Sequence, residues 1–243
     1  MSNPTEKENF EKILREKLEF LKQFNNQEHP WALEAERDGV KVYSIYDQET
    51  GLKIIRSQGI FNAPPRKVVE VAEEIDVVLE WDKTLESIRA LHRSKEYYIL
   101  HTVVKKLPLV VQREAIILAR FFNEPDGIIY GVSTSLDSHP DVEDSIYKVR
   151  AKVHTIGWVL KPVPNDCEKT DFTLILHVDP KGWIPKPAFN WFAHNQGFNV
   201  KPFGEYVEKR YLQEKMQNLK LNGSNETKKL EEKTHDGIQE PAV

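Results

Sequence analysis

Phe10, Ile13, Leu14, Leu18, Leu21 and Phe24 recur at intervals of three, four and seven with Glu and Lys between them, which predicts an amphipathic helix over residues 1–27. It ends at Asn25-Asn26. Behind the turn pair Asp38-Gly39, Val40, Val42 and Ser44 alternate with Lys41, Tyr43 and Ile45, the two-residue period of a hairpin. A third strand near 53–61 stops at Ala63-Pro64-Pro65, and Val68, Val69, Val71, Ala72 and Ile75 then return at helical spacing with proline in the first turn. From Thr84 to Asp179, strand-like runs are separated by turn chemistry at 94–96, 107–111, 124–127, 138–141 and 162–169, leaving room for about six more strands. Residues 185–219 are helical in pattern, with Phe203, Val207 and Tyr211 on one face. Gly197, Pro202 and Gly204 interrupt this last segment and predict a kinked or two-piece helix. Helix, three strands, helix, about six strands and a long helix make an α+β chain with one antiparallel sheet packed on helices.

Several of these strands are apolar on both faces. Ala115, Ile117, Ala119 and Phe121 alternate with Ile116, Leu118 and Phe122; Phe172, Leu174, Leu176 and Val178 alternate with Thr173, Ile175 and His177. An antiparallel sheet with one wet face would alternate apolar with polar, so both faces need cover. Two arrangements satisfy this pattern. Sheet and helices pack into two tight cores, or the helices cover one face incompletely and a curved sheet leaves an apolar hollow for a ligand.

The 243 residues, 40% hydrophobic and 30% charged with five Trp, eight Tyr and eleven Phe, form a globular composition of one to two domains. A formal charge of −4 from 34 basic and 38 acidic residues removes the electrostatic footprint that nucleic acid requires. With a single cysteine, Cys167, and a polar start, the chain is expected to be cytoplasmic, in a reducing setting. Arg113, Arg120 and Pro108 break the longest apolar runs, so membrane contact is expected to be transient and peripheral. The eight histidines show no zinc spacing, and no Gly-x-Ser-x-Gly elbow is present; no metal, cofactor or catalytic nucleophile is expected. Residues 221–243 are polar and are expected to form a disordered tail.

Four motifs in order carry a resemblance: Glu80-Trp81-Asp82, Pro108 followed by Gln112-Arg113-Glu114, Val149-Arg150-Ala151, and Asp179-Pro180-Lys181-Gly182-Trp183-Ile184-Pro185. In this spacing the chain resembles the StAR-related lipid-transfer (START) domain from about Trp31 to Tyr211. The resemblance implies a helix-grip fold: a curved antiparallel sheet of about nine strands around a long C-terminal helix, enclosing a tunnel for one lipid. It places that domain at 28–220, with helix 1–27 as part of it, in the manner of stand-alone carriers acting as monomers.

The resemblance also implies site residues. Asp82, after Trp81, falls where ceramide-transferring members hold the lipid head. His101, on a strand with Tyr97, Ile99 and Val103, falls where members carry a polar head-group contact, and a neutral imidazole can both donate and accept. Val103, Ile117, Ala119, Ser133, Val153, Leu174, Phe189 and Phe192 are expected to line the tunnel. Lys105, Lys106, Leu107, Leu109 and Val110 correspond to a mobile loop over its mouth that couples basic to apolar side chains and suits a membrane surface. Trp81, Arg113, Arg150, Asp179, Gly182 and Trp183 are expected to hold the fold.

The sequence also departs from the family pattern. Ala119 stands where sterol- and phosphatidylcholine-type members carry a second arginine, and Arg120, one residue on, is expected to face the other way. Val77-Val78-Leu79 stands where phosphatidylcholine carriers place a phosphate-binding arginine. These departures favour a sterol, ceramide, diacylglycerol or fatty acid over a zwitterionic phospholipid, whose phosphate would be buried without a partner. The expected function is to bind one lipid and carry it between membranes through the cytosol. The alternatives are a lipid-sensing module and an enzyme using His101 and Asp82 for proton transfer.

Overall fold

The computed structural model describes residues 4–26, 28–184 and 196–235. Helix α1 spans Pro4–Asn26, followed by strands β1 (Ala32–Arg37), β2 (Val40–Tyr46) and β3 (Lys53–Phe61). Helix α2 (Pro65–Ala72), a 3-10 turn (Ile75–Val77) and the short helix α3 (Val78–Trp81) lead into the rest of the sheet. Its strands are β4 (Leu85–Arg93), β5 (Tyr98–Val104), β6 (Gln112–Asn123), β7 (Ile129–Leu136), β8 (Lys148–Arg150), β9 (Lys152–Val163) and β10 (Asp166–Asp179). The last described helix, α4, runs Val200–His235.

The strand order is β1-β2-β3-β10-β9-β7-β6-β5-β4, antiparallel throughout, and β8 pairs in parallel with the start of β6. Among the described residues the sheet therefore has ten strands. The additional one, β8, is only three residues long and exists by virtue of its partner rather than its own pattern. The hairpin turn forms as its sequence predicts, with Asp38 and Gly39 both at positive φ.

Each face of the sheet has its own cover. Phe10, Leu14, Leu18 and Leu21 of α1 pack on Ile99, Ile116, Leu118, Val132, Val159 and Ile175, the outer face. On the inner face Phe198, Val200, Phe203 and Val207 pack with Val40, Val42, Phe61, Phe172, Leu174 and Leu176, joined by Val68 and Val71 of α2 and Trp81 of α3. Phe203 is the hub of this cluster, with ring centroids 4.5 Å from Trp81, 5.1 Å from Trp158 and 5.7 Å from Phe61.

The terminal segment comes in two pieces, as the sequence predicts: residues 196–198 are helical, Asn199 is a turn, and α4 begins at Val200. Pro202 lies in the first turn of α4, where a missing N–H is tolerated, and so produces no break. Gly197 and Gly204 are close-approach positions: a Cβ at Gly204 would meet the Phe61 ring at 2.6 Å, and one at Gly197 would meet Val42 at 2.9 Å. Beyond residue 220 the backbone continues as helix to His235. The Lys-Lys-Leu-Glu-Glu-Lys segment consists of strong helix formers, which supports that continuation.

Candidate functional site: an apolar cavity

A third apolar cluster belongs to neither helix. Ala115 and Ile117 of β6 and Val153 of β9 pack with Leu100, Ala119, Ile156 and Val178, all on strands. These side chains line a cavity of about 330 Å³ on the inner face, in the range of small-molecule sites. β6 pairs with β7 from Ile116 to Asn123 without a register shift, so its alternation holds throughout. Ala115, Ile117, Ala119 and Phe121 face the cavity while Ile116, Leu118 and Phe122 face α1. Most of the lining is apolar, contributed by Ile88, Leu100, Ile117, Val153, Ile156 and Trp158 among others.

Polar groups reach the cavity at few points. Asp82, at the end of α3, is buried; its Oδ1 accepts from the Thr84 backbone N–H at 2.9 Å and from the Thr84 hydroxyl at 2.5 Å. Gln196, just before α4, donates from Nε2 to the Thr84 hydroxyl at 2.7 Å. Asp82, Thr84 and Gln196 thus form a hydrogen-bonded chain joining α3 to the start of the terminal helix, with Asp82 and Gln196 lining the cavity. Thr102, Ser133 and Tyr98 add hydroxyls elsewhere on the wall. Burial raises the Tyr98 phenol above its ordinary pKa, and the nearby Glu73 carboxylate adds to the effect.

The expected lipid contacts divide accordingly. Asp82, Ile117, Ala119, Ser133 and Val153 line the cavity. Leu174 is on the inner face but is covered by the Phe203 cluster. Phe189 and Phe192 lie outside the described residues.

His101 and Val103 require correction. On β5 the cavity-facing positions are Tyr98, Leu100, Thr102 and Val104, so His101 and Val103 point with Ile99 to the outer face. There the His101 Nε2 lies 2.9 Å from Glu114 Oε2, and Arg89 Nε lies 3.4 Å from its Nδ1. Glu114 is almost wholly buried and also pairs with Arg150 at 3.0 Å and Lys148 at 3.5 Å. Burial alone would raise the Glu114 carboxyl, but the His101 hydrogen bond and the charges of Arg150, His101 and Lys148 outweigh it and hold the pKa below the usual value. His101 is therefore a partner in a buried charge network, and a proton-transfer pair of His101 with Asp82 is not assembled. Sequence reasoning missed Leu100, Thr102 and Gln196; the first two are the neighbours of His101, one step away in strand parity.

Arg120 also faces α1. Its guanidinium pairs with Glu11 and lies 4.6 Å from the Phe122 ring centroid. Two further cations near the cavity are committed as well. Lys53 pairs with Glu34 at 2.8 Å, and Arg113 donates to backbone carbonyls of Val111, Pro180, Lys181 and Trp183.

Arg113 thereby ties two segments together at the cavity mouth. One is the loop 105–111, of which Lys105, Leu107 and Val110 line the opening while Lys106 and Leu109 are exposed. The other is the junction after β10, where Asp179 Oδ1 accepts from the Lys181 N–H at 2.8 Å, Gly182 sits at φ +64° and Trp183 is exposed. Trp81 is buried at the inner core and also borders the cavity.

An antiparallel sheet that grips a terminal helix and leaves a partly open apolar cavity between them defines a fold with room for a small apolar molecule. Relatives fit that class. A START domain family model matches residues 11–201, and the chain belongs to the START domain family. It is 27% identical over 172 residues to the human mitochondrial steroidogenic acute regulatory protein, covering 68% of this chain and 59% of that protein. The chicken protein of that name is 25% identical over 186 residues, covering 74% and 63%. The chain thus spans about three fifths of the length of these curated relatives. Among solved structures, human StAR-related lipid transfer protein 5 superposes with a TM-score of 0.73 at 18% identity, covering 84% of this chain and 98% of that one. Human STARD10 superposes with a TM-score of 0.69 at 18% identity, covering 84% and 83%. Among the described residues no helix is long and apolar enough to cross a membrane, and no group of three His, Cys, Asp or Glu is placed to hold a metal.

Proposed function

We propose that the protein binds one lipid with a small polar head, a sterol, ceramide, diacylglycerol or fatty acid, in this cavity and carries it between membranes through the cytosol. The observation that carries this reading is the lining: apolar walls from Leu100 to Trp158, with Asp82 and Gln196 as polar contacts. A lipid hydroxyl can donate to the Asp82 carboxylate or exchange hydrogen bonds with the Gln196 amide, at little desolvation cost. A phosphate held deep in the chamber would need a cation there, and Lys53, Arg113 and Arg120 are already committed to other partners, while Lys105 is exposed at the opening. The names of the relatives, a steroidogenic regulatory protein and a lipid transfer protein, agree with the same class of ligand.

The test is mass spectrometry of lipid that co-purifies with the folded protein, with uptake from liposomes in parallel. A neutral or single-headed lipid at one per chain is expected. Absence of bound lipid together with no uptake from any liposome would overturn the reading, and a bound phosphatidylcholine would overturn the preference for a small head.

A further inference from the structure

The cavity carries polar groups at both ends. Lys105, which follows β5, donates its N–H to the Thr84 carbonyl at 2.9 Å, so Asp82, Thr84 and Gln196 stand level with the mouth end of that strand. Tyr98 is the other end of β5. At about 3.4 Å per residue it lies roughly 20 Å from Val104 along the backbone.

Tyr98 begins a rung that crosses three strands. It stands opposite Ala119 of β6, Ala119 stands opposite Ser133 of β7, and all three line the cavity. Residues directly opposite share a face, so the Tyr98 and Ser133 side chains rise on either side of the Ala119 methyl, which leaves the space between them open. Glu73, at the C-terminal end of α2, lines the same end of the cavity and hydrogen-bonds the Tyr98 phenol. Arg93 holds this pair from outside: its Nη2 donates to the Glu73 carbonyl at 3.0 Å, and its guanidinium lies 6.0 Å from the Tyr98 ring centroid. The Ser133 hydroxyl has no hydrogen-bond partner among the described residues. A hydroxyl that faces an apolar cavity without a partner is uncommon in a folded protein. Leu100, Ile117, Phe121, Ile156 and Trp158 surround this rung, so the two hydroxyls interrupt a wall that would otherwise suit a plain hydrocarbon end.

We propose that Tyr98, Ser133 and Glu73 form a second polar pole, which takes a hydroxyl at the distal end of a lipid whose first polar group sits at Asp82 and Gln196. The preferred ligand is then an amphiphile with a hydroxyl at each end, a sterol hydroxylated at the end of its side chain or a long-chain diol. Its distal hydroxyl exchanges hydrogen bonds with the Tyr98 phenol or the Ser133 hydroxyl, or donates to the Glu73 carboxylate. A hydrocarbon end in the same place leaves Ser133 unpaired and cut off from water. A site built to hydrogen-bond a hydroxyl therefore rejects the analogue that lacks it. The inference deepens the lipid-carrier reading and rests on it.

The test is the ratio of affinities between a lipid with one hydroxyl and the same lipid with two. The probes are cholesterol and cholesterol hydroxylated at the end of its side chain, and hexadecanol and its ω-hydroxylated diol. Each is delivered from cyclodextrin and followed by tryptophan fluorescence, since Trp81 and Trp158 line the cavity. One hydrogen bond gained and one unpaired hydroxyl avoided are together worth about tenfold, so wild type is expected to bind the dihydroxy member of a pair at least that much more tightly. In Tyr98→Phe/Ser133→Ala the ratio is expected to fall to about twofold or less, with circular dichroism native. Ser133→Ala alone removes one oxygen and should lower the ratio about threefold; a ratio left at the wild-type value overturns the role of Ser133. A wild-type ratio near one in both pairs overturns the pole, and so does a ratio that the folded double variant keeps. In both cases the carrier reading stands, because lipid has bound. A ratio confined to one pair supports the pole and names the carbon skeleton of the ligand. Binding of none of the four probes overturns the pole, and lipid uptake from liposomes then judges the carrier reading by itself.

Discussion

Replacing Arg113 by Met removes the fastener between the β5–β6 loop and the junction after β10 while keeping most of the buried stem. The guanidinium donates through Nε to Pro180 at 3.2 Å, through Nη2 to Lys181 at 2.8 Å and Trp183 at 3.3 Å, and through Nη1 to Val111. A hydrogen bond to a charged group contributes about 1.5–3 kcal/mol, but the four share one side chain and their contributions do not add. The Lys181 and Trp183 ends are exposed, so their carbonyls regain water in the variant. The net loss is therefore expected to be about 2–4 kcal/mol, a fall in Tm of roughly 5–15 °C for a domain of this size. Arg113→Lys should recover only a minor part, because a single ammonium cannot bridge carbonyls from both segments in the fork geometry.

Thermal unfolding followed by far-UV circular dichroism measures the first effect, and limited trypsin digestion measures the local one. Lys105, Lys106 and Lys181 are exposed cleavage sites on the two tied segments, so Arg113→Met should be cut there faster than wild type before global unfolding. A Tm within about 2 °C of wild type with an unchanged cleavage pattern would refute the fastening role.

Filling the chamber by Ala119→Trp should reduce lipid uptake at least tenfold, on the order of one lost apolar ligand group or more, while circular dichroism stays native; undiminished uptake would sink the assignment of the cavity. Gly204→Ala should destabilise by roughly 1–3 kcal/mol in chemical denaturation, because the added Cβ meets Phe61, although alanine is the better helix former; a stabilised variant would contradict that packing. His154 and His177 stack at 4.6 Å on the outer face, facing Lys17 of α1, Lys152, Asp47, Asp179 and the Thr50 hydroxyl. Burial depresses both, helped by Lys17 at His154 and by His154 at His177. The unfolded chain then takes up protons more readily, so stability present above about pH 6.5 is lost as pH falls through the depressed folded values. Tm should drop between about pH 7 and pH 5 and do so less in His154→Gln/His177→Gln; an equal slope in both proteins would remove the pair as the cause.

Which features could be read from the residues follows from how each is determined. The α1 stripe is set by local periodicity, and Leu14, Leu18 and Leu21 are all fully or nearly fully buried. The orientation of Arg120 was equally legible, since β6 runs without a register shift and parity counts from Arg113 hold. Parity failed on β5. Tyr97, Ile99 and Val103 share a face with His101, but so do Tyr98, Leu100 and Thr102 with one another, and two apolar faces give no internal mark of which is the inner one. That mark comes from pairing, in which Leu100 stands opposite Ile117 and His101 opposite Ile116. β8 was illegible because three residues carry no periodicity and its partner lies more than thirty positions earlier on β6. Pro202 and Gly204 were misread as breaks because the sequence does not show where the helix begins or what crosses it.

The chamber itself has a simple origin in coverage. The outer face is closed by α1, which spans 23 residues and sets its leucines over the central strands. On the inner face α4 and the short helical piece before it press onto β2, β3 and β10, with Gly204 and Gly197 allowing the close approach, and α2 and α3 fill the space beside them. The wall formed by β5, β6, β7 and β9 is left with side chains from strands alone, and several are small: Ala115, Ala119 and Ser133. Larger residues at these positions would meet the facing wall and turn the hollow into core, as interiors close to crystal density require. The two-sided apolar strands therefore serve two different ends. Their outer positions stabilise the fold against α1, whereas part of their inner positions remains uncompensated until a ligand arrives, so bound lipid should raise Tm by mass action as any native-state ligand does.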